Sequence, residues 1–436
     1  MLVPSGIEGF LHELKRQGVR VAGLELSEEE QSFPMTFLEE RVYASVEAES
    51  WKPLEVTTGG TKINFAAFLD GVQRTMMLPY RIPLPNGAQV PLHVAHIAAG
   101  VFLRDESGCL YIDPDLITAR LLLLGPFHGI QEAGGLSVSS ADLIWDTSDQ
   151  TFDFPSEPNE WVVCDTTFHG TEEDRGMRLT GALLGEELFK EGLVRARAQG
   201  RVATLRQRLE FAVLAKFRQR YADAFILVDG PLFFLDKWRR KAAKILGSYL
   251  GQPSENCFED VLLKNAVGLI KTHRLRPRHP EQILKIGPGQ RSPVVRITEE
   301  VDIKGRRGEL DEEGGYGGAH LTWYTRLYFS EGDIVLTHGL YGLVRLDVHR
   351  TTLGIERADT LNPESFRVYK DKVDEITQAV WRERWPVVRR GGESGFGTQI
   401  YPVEQLEKVL KAGLYPRRLL AYLCNLTESR VESDYY

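Results

Sequence analysis

The sequence predicts an α/β protein: a ribonuclease-H-like mixed sheet flanked by helices, with an insertion and a helical C-terminal region. Three observations carry this. Strand-like apolar segments from residue 62 onward fold back at turn signals, a long segment after residue 183 has helical period, and the short apolar run "AFILVDG" is typical of a strand buried on both faces.

The first fifty residues read as two helical stretches, about Ile7 to Gln17 and Pro34 to Ala48, within an N-terminal arm over 1–60. A core then runs over 61–410. Its first strand, "INFAAFLDGVQRTMMLPYRIPL", is followed by Asn86-Gly87, a two-residue hairpin signal, and by "AQVPLHVAHIAAGVFLRD". Asp105-Glu106-Ser107-Gly108 turns the chain again into "CLYID", giving an antiparallel meander. Residues 114–180 mix apolar patches with acidic loops and read as an insertion of unknown shape.

From Leu183 to Tyr221 the period is helical, with Val202, Leu205, Leu209, Val213 and Phe217 on one stripe; Gly192 and Gly200 are expected to divide the segment. The strand "AFILVDG", a helix near Cys257 to Asn265 and the strand "AVGLIKTH" follow. "RLRPRHPEQ" and "GRRGELDEEGGYGGAH" read as loops. Two more strands, "LTWYTRLYF" and "YGLVRLDVH", precede a helical region from Asn362 and a tail over 411–436. Meander, helix, strand, helix, strand is the succession expected of a ribonuclease-H-like core.

Composition sets outer limits. The 436 residues are 42% hydrophobic, enough for a large core, and the four cysteines form no C-x-x-C pair, so neither a zinc ribbon nor a disulfide framework is indicated. A reducing cytoplasm fits. The opening residues lack an apolar h-region, and no stretch approaches the roughly 18 apolar residues of a membrane span, so a soluble, unprocessed chain with no membrane association is expected. Net charge is −8, but Arg195 to Ile245 holds 13 Lys/Arg against four Asp/Glu, either one basic face or a solvated helix surface.

Chemistry is expected where two strands end in Asp-Gly, at Asp70 and Asp229. A carboxylate at the end of a buried strand is costly unless it meets a cation. Holding two divalent cations needs a third acid, and Glu210 is placed for it beside the buried helix stripe, on the face of Arg206, Val213, Leu214 and Phe217. Such a pair of ions, about 4 Å apart, stabilises the attacking and leaving oxygens of a phosphodiester without a protein nucleophile.

Other motifs carry less. His93-x-x-His96 sits in a strand, where residues three apart face opposite sides, and "GGYGGAH" lacks the Gly-Lys-Ser/Thr ending of a phosphate loop. Phe233, Phe234 and Trp238 beside "RRKAAK" could stack bases, but a Phe-Phe pair is more often core. Lys271 closes the strand "GLIKTH" as a phosphate contact or a solvent-facing lysine. Arg326 offers a phosphate fork or an internal salt bridge. With Arg206, these two are the candidate DNA contacts.

"AFLDGVQR", Glu210 placed 19 residues before Asp229 in "ILVDGPL", "VGLIKTHR" and "WYTRLYF" together resemble the NurA nuclease family over about residues 60–410, with 114–180 matching poorly. The resemblance implies a ribonuclease-H-like fold, a toroidal homodimer, and manganese-dependent (or magnesium-dependent) single-strand endonuclease and 5′-to-3′ exonuclease activity on DNA. It also implies a hexameric HerA-type ATPase partner in DNA end resection. Asp70, Glu210 and Asp229 match the family's metal-binding carboxylates, and Tyr401 in "IYPVEQLEKV" matches its late motif. Where that motif has a His eight residues after the Tyr, this chain has Val409; His338 and His349, flanking the strand that holds Asp347, are candidate substitutes. The departure favours the alternative of a catalytically weakened DNA clamp or adaptor for an ATPase, acting in repair or in defence against foreign DNA. A third option is a related nuclease acting on RNA or guided hybrids.

Overall fold

The computed structural model describes residues 20–21, 42–48, 50–57, 59–135, 160–167, 183–232, 236–251, 258–271, 279–298, 320–328, 342–356, 362–384, 399–420 and 422–423. Its centre is one mixed sheet of 13 strands among the described residues, with helices on both faces. None of the described helices is long and apolar enough to cross a membrane.

The chain enters through three short strands, β1 (Arg20–Val21), β2 (Val42–Ser45) and β3 (Leu54–Glu55). β2 pairs with a strand far along the chain, so Val42–Ser45 is extended where a helix over Pro34 to Ala48 is expected from sequence. The first helix of that expectation, and residues 34–41 of the second, lie outside the described residues.

Three long antiparallel strands follow: β4 (Phe65–Pro83), β5 (Gln89–Arg104) and β6 (Leu110–Gly125). Both of their turns share one design. The Leu84 carbonyl accepts from Gly87 N–H and the Asp105 carbonyl from Gly108 N–H, and each glycine has a left-handed φ, 85° and 87°. The first turn is therefore centred on Pro85-Asn86, with Gly87 as the following bulge, rather than on Asn86-Gly87. The strand β6 continues to Gly125, so residues 114–125 extend the meander and do not open an insertion. A short helix α1 (Phe127–Glu132) and β7 (Glu160–Asp165), parallel to β6, finish this side of the sheet.

The helix α2 spans Glu191–Arg220 without a break at Gly192 or Gly200. Each glycine costs about 1 kcal/mol in a helix, which the buried stripe Val194, Ala198, Val202, Leu205, Leu209, Val213 and Phe217 outweighs. β8 (Phe225–Asp229) returns beside β4, α3 (Asp236–Tyr249) and α4 (Phe258–Leu262) cross over, and β9 (Ala266–Ile270) lies beside β8. β8 is parallel to β4 and β9 is parallel to β8. A turn of helix, α5 (Pro280–Ile283), leads to β10 (Gln290–Arg291) and β11 (Val295–Thr298). β12 (His320–Arg326) and β13 (Leu343–His349) complete the sheet, whose order is β2-β11-β12-β13-β9-β8-β4-β5-β6-β7. Helices α6 (Arg350–Leu353), α7 (Pro363–Phe366), α8 (Lys370–Arg382) and α9 (Tyr401–Gly413) close the chain.

Side-chain alternation divides the core in two. Ala67, Leu69, Ile226 and Val228 face α2, α3 and α4. Phe68, Val72, Leu227, Val267 and Leu269 face α8 and α9. The register of β4 on β5 is unbroken from Ala67 to Met77 and shifts only between Met77 and Arg81.

Candidate metal and phosphodiester site

Asp70 lies inside β4, not at its end, because the strand runs on to Pro83. The end is nonetheless local. β8 stops at Asp229, and its pairing of Val228 with Leu69 sets Asp229 alongside Asp70. By alternation, Asp70 shares the face of Phe68 and Val72, and Asp229 that of Leu227, so both belong to the side covered by α8 and α9.

Glu210 arrives from the other side. It is carried on α2 next to the buried Leu209, and it reaches β4 over Gly71, where an added Cβ would overlap its Oε1 and lie 2.8 Å from its Cδ. Arg206, one turn earlier, donates from Nη1 to the Gly71 carbonyl at 2.6 Å and sits 3.2 Å from Glu210 Oε1. Lys271, just past β9, donates to Asp229 Oδ2 at 2.9 Å and to Gln399 Oε1 at 3.3 Å. Asp70 Oδ1 accepts from the Gly71 N–H at 2.7 Å.

The electrostatics follow from burial. Asp70 and Glu210 are only 3% and 8% exposed. Burial, then the Asp229 charge, raises the Asp70 carboxyl well above its ordinary value. Burial pushes Glu210 up to about 7, with Arg206 opposing and Asp229 adding to the rise. Burial alone would lower Lys271, but its charge and hydrogen-bond contacts with Asp229, together with the Asp70 and Glu407 charges, outweigh it and hold the ammonium above its usual range. Arg206 is raised, chiefly by Glu210.

Oxygen-only donors suit a hard divalent cation such as manganese or magnesium. Two further features fit one: Glu210 Oε1 is buried and accepts no hydrogen bond, and Gly71 leaves it room. Asp70, Glu210 and Asp229 would be the ligands. As arranged, however, no three His, Cys, Asp or Glu side chains among the described residues converge to hold an ion, so the preformed cage expected from sequence is not present. Each acid instead has its own local attachment: Asp229 to Lys271, Glu210 to Arg206, and Asp70 to the Gly71 amide.

The remaining sequence candidates scatter. Arg326 is buried and donates to the Ile286 and Leu284 carbonyls, so its guanidinium holds a loop rather than facing a phosphate. Tyr401 is exposed at the start of α9, and Val409 on the same helix is 43% exposed. His349 is at the wrong end of the sheet: β13 runs antiparallel to β9, and the His349 ring lies near Asp260 and Thr351. Asp347 is taken up by Arg345 and Thr322. His338, Phe233 and Phe234 are outside the described residues, as is the structure around the Trp238 side chain.

Compared with known proteins, the chain matches no family model and no curated protein. In the described part of the basic run, several cations are not on a free surface. Arg201, Arg208 and Arg218 are buried; Arg218 binds the Leu262, Tyr221 and Ala224 carbonyls, and Arg220 pairs with Asp113 and Asp115. Two residues near the site were not singled out from sequence, Gln399 and Glu407. The charge of Glu407 acts on both Lys271 and Arg206, yet in sequence it is one more acid on an amphipathic helix.

Proposed function

We propose that this chain is a metal-dependent DNA nuclease with a ribonuclease-H-like core, of the kind found in the NurA family. The observation that carries the reading is Asp70 and Asp229 side by side on parallel strands, with Glu210 let in over Gly71. The strand order β6-β5-β4-β8-β9, three antiparallel strands followed by two parallel ones, supports the core assignment.

In this reading Asp70, Glu210 and Asp229 hold divalent manganese or magnesium, which when bound supplies charge for the oxygens of an in-line phosphodiester displacement. Arg206 keeps Glu210 directed across Gly71. Lys271 gives up its hold on Asp229 and turns its ammonium to the phosphate, a compact charge suited to that contact. A homodimer working with a hexameric HerA-type ATPase on DNA ends, in the cytoplasm, completes the proposal. The test is cleavage of labelled single- and double-stranded DNA with manganese, alone and with such an ATPase, with RNA in parallel. Loss in purified Asp70→Asn and Asp229→Asn supports the reading; retained activity in either rejects it.

A second reading is a DNA clamp or adaptor that no longer turns over. It is favoured by Lys271 already neutralising Asp229 and by the solvent-facing Val409. DNA binding without cleavage by the wild type in the same assay would select it.

A further inference from the structure

Lys271 has two partners, and they differ in kind. Its Nζ donates to Asp229 Oδ2 at 2.9 Å and to Gln399 Oε1 at 3.3 Å, so the ammonium leans toward the carboxylate and is shared with the amide. The pair is enclosed: the Lys271 side chain is 16% exposed and that of Asp229 23%. An ammonium has only donors, so in this setting a bond that it loses must be replaced.

The backbone beside Gln399 is anchored independently of Lys271. Ile400 is fully buried and forms an antiparallel bridge with Arg384, just past α8. Next to that bridge, the Tyr401 N–H donates to the Glu383 carbonyl at 3.0 Å. Glu383 is held in turn by Arg104 of β5 through two bonds of 2.7 Å, and Arg384 donates to the Leu327 carbonyl, just past β12, at 2.9 Å. Gln399 is thus a fixed acceptor, tied to α8 and through it to the sheet.

A divalent cation that takes Asp229 must displace the ammonium. Released without a partner into a mostly buried site, the ammonium would be costly, whereas leaning fully onto Gln399 keeps one charge-assisted bond. An amide oxygen also orients the ammonium without neutralising it, as a second carboxylate would, and its charge stays available to a phosphate oxygen.

We infer that Gln399 is a positioning residue, the second seat of the Lys271 ammonium: it takes over the ammonium when a divalent cation occupies Asp229 and keeps it directed at a phosphate. The inference rests on the metal-dependent reading above.

The test is calorimetric titration of the full chain with manganese, in a double-mutant cycle over Gln399→Met and Lys271→Met, with melting curves beside it. In the wild-type background Gln399→Met, close in size and lacking the oxygen, should weaken manganese binding several-fold, because the displaced ammonium loses its seat. Gln399→Asn, one methylene too short to reach, should behave alike. In the Lys271→Met background neither change should alter manganese affinity. Cleavage of a labelled single-stranded oligonucleotide at saturating manganese should fall in Gln399→Met, and the double variant should be no slower than Lys271→Met alone. Wild-type manganese affinity in Gln399→Met would overturn the inference and leave the nuclease reading standing. An equal loss in both backgrounds would also overturn it, tracing the effect to packing at the start of α9. No manganese uptake by wild type would remove both the reading and the inference.

Discussion

Gly71 gives the Glu210 carboxyl its place against β4: any side chain at 71 would occupy the same volume. The carbonyl of the same glycine accepts from Arg206, and its N–H donates to Asp70, so one residue serves three members of the site.

Gly71→Ala should therefore push Glu210 aside while leaving the sheet intact, because the displaced group is the end of a flexible side chain. A displacement of about 1 Å can lower turnover on the order of 100-fold. Manganese-dependent cleavage measured beside circular dichroism checks this, and wild-type cleavage by a folded Gly71→Ala protein would contradict it.

Asp70→Asn should abolish cleavage and raise metal-free stability. The buried Asp70 is disfavoured as an anion by desolvation and by Asp229, whereas Asn keeps an oxygen for the Gly71 N–H. A gain in stability is expected by chemical denaturation at pH 7.5. A loss of stability would refute this account of the Asp70 carboxylate.

The pH dependence of stability has a definite sign. Glu210 moves from an ordinary 4.5 to about 7 in the folded state, so its contribution is complete below about pH 4.5 and lost as pH rises through about 7. The stability difference between wild type and Glu210→Gln should shift against wild type over that window when metal is absent. Saturating manganese should cancel the shift, since metal binding displaces the proton. Melting curves with and without manganese at pH 5 and 8 read this directly, and a difference indifferent to both would be inconsistent with it.

Lys271→Met should separate binding from chemistry. The ammonium competes for Asp229, so its removal should tighten manganese binding several-fold while lowering cleavage. Weaker manganese binding in the variant would show that Lys271 supports the cation site instead of competing with it.

His93 predicts acid sensitivity away from the site. Burial, with Arg195 adding to it, lowers its pKa to about 4, and neither ring nitrogen has a hydrogen-bond partner. The unfolded chain takes up this proton near 6.5, so stability is present above pH 6.5 and lost as pH falls toward 4, by up to roughly 3 kcal/mol. His93→Leu should flatten the stability profile between those values; an unchanged profile would exclude His93 as its source.

Much of this was legible in sequence because it rests on local chemistry. Alternation and turn residues gave the meander, and the continuous apolar run gave β8. Asp-Gly at two strands pointed to Asp70 and Asp229, which the parallel pairing of β8 with β4 sets side by side, whereas Glu210 comes in from the opposite face. What stayed hidden depends on distant contacts. The helix passes Gly192 and Gly200 because burial along the whole stripe outweighs two local costs. Val42–Ser45 is a strand because β11 lies beside it. Counting charges could not reveal that Arg201, Arg208 and Arg218 turn inward, and nothing local separates Glu407 from Glu404 on the same helix.

The uninterrupted pairing of β4 from Ala67 to Met77 also governs which length changes the molecule can survive. Deleting or adding one residue just ahead of Asp70 would turn its carboxylate to the opposite side, among the apolar contacts of α2, and hand its place to a neighbour. Past Met77, where the ladder already skips, the same edit could be absorbed. Natural variation in length should accordingly gather toward the Pro85 turn and be excluded from the stretch between Ala67 and Gly71.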